Sequence, residues 1–259
     1  MSEKSDATPI AIDGFSRTFA LEAARNPIPV YVSDTGHKPL ILLHELPGMS
    51  HSFIACARDL ADKGFRVYMP LMFKRPGTEM GMRQMRAFCI SQEFAELYKP
   101  KDNSDERPFV DLLYTLVETV SAENDAAPIG VIGMCLTGGF ALGTIAKSPV
   151  AAAIACQPAY PSFQKARTLG LSKQQRKAAG ARAATLPKPC ARGYRYRWDP
   201  MSWPAHMRGA KDMLGDGFER MKDLDGLGHS ILTSDKFQGR KGYVPHIFDE
   251  IVEFLGARL

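Results

Sequence analysis

The stretch Gly130–Phe140, GVIGMCLTGGF, sets one cysteine between an apolar run and a pair of glycines. The run IGVIGM (129–134) has the uninterrupted apolar character of a strand buried on both faces. The residues from there to about Lys147 read as helix. A side chain placed at such a corner is pushed into the open by the tight turn. The N–H groups that open the helix then face it with the positive end of the helix dipole. Gly133 allows close approach two residues before the thiol, and Gly138 and Gly139 let the helix pack tightly on the sheet.

On either side of this corner, short β-type runs alternate with helical periodicity. Residues 14–21 and 28–34 open with two strands, and KPLILLHE (38–45) is a buried strand of the parallel kind. A helix spans Ser50 to Lys63, capped by Ser50 or Ser52 and ended by Gly64. FRVYMP (65–70) is a strand and PFVDLLYTLVETV (108–120) a helix. VAAAIACQP (150–158) and ARGYRYRWD (191–199) are strands, and a further strand lies near 218–224. Helices are expected across 172–184, near 204–214 and across 244–258. Five or more β-α steps in order predict one doubly wound α/β domain over 1–259, its sheet mostly parallel with helices on both faces. Residues 71–106, irregular and Met-rich, are expected as a lid or pocket wall, and 161–189 as a basic excursion.

The 259 residues are 45% hydrophobic and 24% charged, which suits a soluble chain able to build one core without disulfide staples. The cysteines (Cys56, Cys89, Cys135, Cys156, Cys190) are odd in number and form no C-x-x-C pair. That fits a reducing compartment and speaks against a zinc site. The opening MSEKSDATPIAIDG has no apolar signal core, and no run is long enough to span a bilayer, so a cytoplasmic location is expected. Net charge is +5, and no acidic residue stands between Asp125 and Asp199. The eleven Lys and Arg of that span make either a solvated basic face or a positive rim that concentrates an anionic substrate. Zinc-finger spacing and basic helices with stacking aromatics are both lacking, which argues against nucleic acid.

A thiol nucleophile needs a base, and the base needs an orienting acid. The nucleophile elbow G-x-S-x-G occurs here as Gly133-Met134-Cys135-Leu136-Thr137, with Thr137 in place of the second glycine. On that fold the acid and then the histidine follow the nucleophile in the chain. His229, in the glycine-bracketed LDGLGHSILT, fits that order; His206 and His246 read as surface residues of helices. Asp199 ends an expected strand and precedes Pro200, which makes it the favoured acid, with Asp225 as runner-up. Asp212, Asp216, Glu219 and Asp223 are the other acids in the interval. Glu45, closing an otherwise apolar strand, is either an exposed loop charge or a neighbour of the thiol.

With HELPG (44–48), GMCLTGG (133–139), RWDP (197–200) and GHS (228–230) in this order, the chain resembles the dienelactone hydrolase family over roughly Ile28 to Leu259. The resemblance implies a single α/β-hydrolase domain without a cofactor or metal. It also implies cleavage of a small ester or lactone, as in carboxymethylenebutenolidase. By position it makes Cys135 the nucleophile, His229 the general base and acid, and Asp199 the orienting carboxylate. Glu45 matches the glutamate that contacts the resting thiol, and the N–H groups of Leu46 and Leu136 would form the oxyanion hole. Arg75 matches one of two arginines that hold a substrate carboxylate; the second position is Thr233 here. The expected partner is thus a small anionic ester or lactone, taken by a monomer or small homo-oligomer. Two other readings stand beside this one: a non-catalytic binder of the same fold, supported by Thr137 and Thr233, and a redox-sensing thiol.

Overall fold

The computed structural model describes residues 10–22, 27–46, 48–72, 76, 108–160 and 163–259. Its strands are β1 Arg17–Leu21, β2 Ile28–Val32, β3 Lys38–Leu43, β4 Phe65–Pro70, β5 Ile129–Met134, β6 Val150–Cys156, β7 Ala191–Tyr194 and β8 Phe218–Arg220. They form one sheet in the order β1-β2-β4-β3-β5-β6-β7-β8. β2 runs antiparallel to both β1 and β4, and every pairing from β4 across to β8 is parallel. The helices among the described residues are α1 His51–Asp62, α2 Pro108–Glu123, α3 Leu136–Gly143, α4 Lys173–Ala183, α5 Pro204–Leu214 and α6 Pro245–Gly256.

The alternation of side chains along each strand divides the core in two. Leu40 and Leu42 of β3, with Ile132 and Met134 of β5, face α1 and α6. Ile41, Leu43, Val131 and Ala153 face the layer of α2, α3, α4 and α5. A sheet covered on both faces needs apolar residues at every position, and all six residues of β5 are buried. The chain leaves β3 outward to β4 and returns to β5 on β3's other side. The C-terminal ends of β3 and β5 therefore flank the point where the strand order reverses, the place where open α/β sheets bind ligands.

Local signals set the helix ends. The Ser50 side chain accepts the N–H of Phe53 at 3.2 Å and caps α1, and Ser172 with Gln175 closes a reciprocal box at the start of α4. The basic excursion is thus a 3-10 turn over Phe163–Thr168 followed by α4, whose Ala179 and Ala183 join the core. Two strands are shorter than expected. ARGYRYRWD is β-paired as a ladder only over Ala191–Tyr194, and 218–224 only over Phe218–Arg220. Beyond them a single parallel bridge, Tyr196 to Leu224, joins the two chains. The segment 71–106 lies outside the described residues except for Leu71, Met72 and Pro76.

Candidate active site

Cys135 occupies the turn between β5 and α3 with φ 53° and ψ −121°, a conformation that side chains other than glycine rarely adopt. Its N–H donates to Cys156 O at 3.0 Å, and its carbonyl accepts from Ala159 N at 2.9 Å, so the elbow is stitched to the end of β6. The close approach at Gly133 is strict: a Cβ there would lie 2.3 Å from the carbonyl oxygen of Thr137. Thr137 stands where glycine was expected because its hydroxyl has work at this corner. Oγ1 accepts the N–H of Met134 at 2.9 Å and lies 3.2 Å from Leu43 O and 3.3 Å from His44 O. It ties the end of β5 to the end of β3. Leu136 opens α3, where the first N–H groups have no intrahelical acceptor.

His229 and Asp199 come from loops beyond β8 and β7 and meet in the interior. Nδ1 of His229 is 2.9 Å from each carboxylate oxygen of Asp199, and both residues are buried. Asp199 Oδ1 also accepts the N–H groups of Met201 and Ser202, each at 2.8 Å. The His229 N–H donates to buried Asp235 Oδ2 at 2.7 Å. Burial opposes protonation of the imidazole. The neighbouring Cys135 sulfur and the Asp199 carboxylate, through charge and hydrogen bonding, outweigh it and hold the ring well above its ordinary pKa. Nε2 is buried, on a ring whose pKa the nearby Cys135 sulfur helps to raise.

Glu45 is buried rather than an exposed loop charge. Its carboxylate accepts from Gln157 Nε2 at 3.1 Å, Ser230 Oγ at 3.2 Å and the Thr233 hydroxyl. Three neutral donors, two of them on the loop of His229, hold it. His44, one residue earlier, is wholly buried. Its Nε2 accepts the N–H of Met72 at 3.1 Å, which leaves the proton on Nδ1, 3.0 Å from Glu45 O. Burial pushes its pKa down to about 4, so it stays a neutral fixture that shapes the turn carrying Glu45 and Leu46.

The structure thus brings Cys135, His229 and Asp199 together, with Glu45, Leu46 and Leu136 at the same edge. Arg75 lies outside the described residues. Asp225 is a surface group, its side chain 81% exposed and 3.4 Å from Arg197. Asp212, Asp216 and Glu219 pair with Arg167, Lys211 and Arg192. His246 is exposed as expected, but His206 is not a surface residue. It is fully buried: its Nε2 accepts the N–H of Tyr160 at 2.9 Å, which leaves the proton on Nδ1, 3.2 Å from Trp203 O, and the ring so pins the start of α5. Sequence reasoning missed His44, His206 and Asp235, whose partners are set by loop packing that no local pattern encodes. Among the described residues no group of three or more His, Cys, Asp or Glu could hold a metal, and no helix is long and apolar enough to cross a membrane.

The model of the dienelactone hydrolase family matches residues 29–184. No match was found among curated proteins. The chain is similar in structure to a dienelactone hydrolase-like promiscuous phosphotriesterase from metagenomic libraries: TM-score 0.63, 12% identity, 93% of this chain and 97% of that one covered. It is also similar to a cold-adapted esterase from an Arctic intertidal metagenomic library, with TM-score 0.62, 14% identity and 100% of both chains covered. An esterase of Pyrococcus furiosus aligns with TM-score 0.59 and 13% identity over 93% of this chain and 92% of that one. At such identities the likeness is one of fold, the α/β-hydrolase fold.

Proposed function

The chain belongs to the dienelactone hydrolase family and is a carboxylic ester hydrolase, and from that premise we propose that Cys135, His229 and Asp199 cleave a small ester or lactone as a catalytic triad. What carries this reading is the two-pronged approach of His229 Nδ1 to Asp199, at 2.9 Å twice, beside a cysteine on a strained elbow. Asp199 accepts the Nδ1 proton and so leaves Nε2 free to act as base. Nε2 takes the thiol proton while the sulfur electron pair forms a bond to the substrate carbonyl carbon. The carbonyl electrons move to oxygen, where the N–H groups of Leu46 and Leu136 receive the charge, each donor worth about 3 kcal/mol. Collapse restores the carbonyl, breaks the C–O bond and passes the Nε2 proton to the leaving alkoxide. Water, deprotonated by His229, then attacks the thioester; the acid leaves and the thiol recovers its proton.

Glu45 holds the family's glutamate position in this reading. To assist deprotonation of the thiol it has to leave the grip of Gln157, Ser230 and Thr233 when substrate binds. In this reading a carboxylate on the substrate is met by Arg75, while Thr233, at the position of the family's second arginine, directs its hydroxyl to Glu45. Arg75→Ala is expected to lower kcat/KM at least 10-fold, about 1.4 kcal/mol, on esters bearing a carboxylate and to leave p-nitrophenyl acetate nearly unchanged.

Hydrolysis of p-nitrophenyl acetate and of a simple lactone is the direct test, with acid quench and mass spectrometry of the peptide containing Cys135. Wild type turns both over and carries an acetyl adduct on that peptide. Cys135→Ala falls by about 10³-fold or more, to the residue left by the oxyanion donors. Turnover retained in Cys135→Ala overturns the proposal. No turnover in wild type favours a binder, and sulfenic acid at low peroxide without ester cleavage favours a redox sensor.

A further inference from the structure

The loops that deliver acid and base part company at one place. Arg195 lies four positions before Asp199, and Asp223 lies six before His229. Between them the two chains are zipped by Leu224 N to Arg195 O at 2.9 Å and Arg197 N to Leu224 O at 2.8 Å. At this fork sits the Arg195 guanidinium, its side chain 2% exposed. Nε donates to Ser202 O at 2.9 Å and one terminal nitrogen to Arg197 O at 3.2 Å, so one planar group grips the loop on both sides of Asp199. The other terminal nitrogen pairs with the Asp223 carboxylate. Ser202 in turn gives its N–H to Asp199 Oδ1 at 2.8 Å and its hydroxyl to Pro158 O at 2.8 Å.

We propose that Arg195 and Asp223 are positioning residues, an ion-paired clamp across the bases of the two loops that fixes the Asp199 carboxylate on His229 Nδ1. The proposal rests on the triad reading above. A buried arginine with three acceptors, two carbonyls and a carboxylate, all on these two loops, is the arrangement that only a rigid guanidinium fork can satisfy. Lysine keeps the charge but cannot reach both carbonyls and the carboxylate at once.

Kinetics of Arg195→Lys, Arg195→Met and Asp223→Asn on p-nitrophenyl acetate test the clamp, with Cys135→Ala and Arg258→Met beside them. Arg258 is the structural control: it grips Pro189 O at 3.0 and 2.8 Å and Phe254 O at 3.0 Å, at the entry to β7. The clamp variants are expected to lose about 10²-fold in kcat, the effect of roughly ångström misplacement of a catalytic group, with KM little changed. Because Asp199 helps to raise the imidazole pKa, the limb of the pH–rate profile that reports His229 moves to lower pH. The proton resonance of the Nδ1–H···Asp199 bond weakens or disappears in the same variants. Arg258→Met keeps wild-type kcat and profile even where its melting temperature falls. Wild-type kcat and profile in Arg195→Lys and Asp223→Asn, with Cys135→Ala inactive, overturn the clamp alone. Equal losses in Arg258→Met and the clamp variants also overturn it, as a mere stability effect. Activity in Cys135→Ala overturns the triad and the clamp with it. Should Arg195→Met fail to fold, the lysine and asparagine variants decide.

Discussion

At Cys135 the backbone holds a sparsely populated conformation, which costs of order 1–3 kcal/mol and persists because the surroundings enforce it. Gly133→Ala puts a methyl against Thr137 O and should lower stability by about 1–3 kcal/mol and esterase activity with it, read by melting and turnover. Asp199→Asn should cut kcat by about 10⁴-fold, since an amide can reverse the imidazole tautomer, while exposed Asp225→Asn stays within about two-fold. Equal losses in the two would remove Asp199 from the role. The cysteine corner, His229 and Asp199 were legible because chain order and strand ends constrain them. Thr137 was legible only as a departure. Its acceptor Leu43 O is 94 residues away in sequence, so nothing local could say that a hydroxyl outranks the second glycine there. Arg195 and Asp223 were hidden for the same reason: one read as a strand residue, the other as one acid among several.

Helix starts were readable to within a residue because caps act locally. Ser50→Ala and Ser172→Ala should each cost about 1 kcal/mol, roughly 2–4 °C in melting temperature, with esterase kcat unchanged. The buried strands were equally plain, since a run such as IGVIGM has no polar residue to offer solvent. The margin of the sheet was not. The sequence around 191–199 alternates arginine with aromatics and reads as one strand, yet the ladder stops at Tyr194. There Arg195 turns inward to serve loop carbonyls, and β-periodicity cannot distinguish that from a solvent-facing arginine. His206 was misjudged likewise: a lone histidine in a polar helix looks exposed until the Tyr160 N–H and the Trp203 carbonyl supply its partners.

Across the whole molecule, buried histidines bend the pH dependence of stability in opposite senses, with His206 acting in the same sense as His44 because burial lowers its pKa too. His44 has its pKa lowered from 6.5 to about 4, so the unfolded chain binds a proton that the folded chain refuses. Its contribution is complete above about pH 6.5 and is lost as pH falls toward 4, a swing of about 3 kcal/mol. His229 has its pKa raised, so its contribution is full below pH 6.5 and fades as pH rises through the folded value. Denaturant midpoints measured from pH 7 to pH 4 should therefore fall in wild type. His44→Asn should flatten that fall while lowering stability at pH 7.

The sulfur rides on β5 in the middle of the sheet, whereas imidazole and carboxylate hang from its margin, beyond a β8 only three residues long. Margins fray first when a protein is warmed. Heat should then silence this enzyme by parting the His229 ring from the Cys135 sulfur while the sheet is still whole. The loss of turnover would precede the melting transition and reverse on cooling, so a brief thermal pause would leave a working catalyst behind.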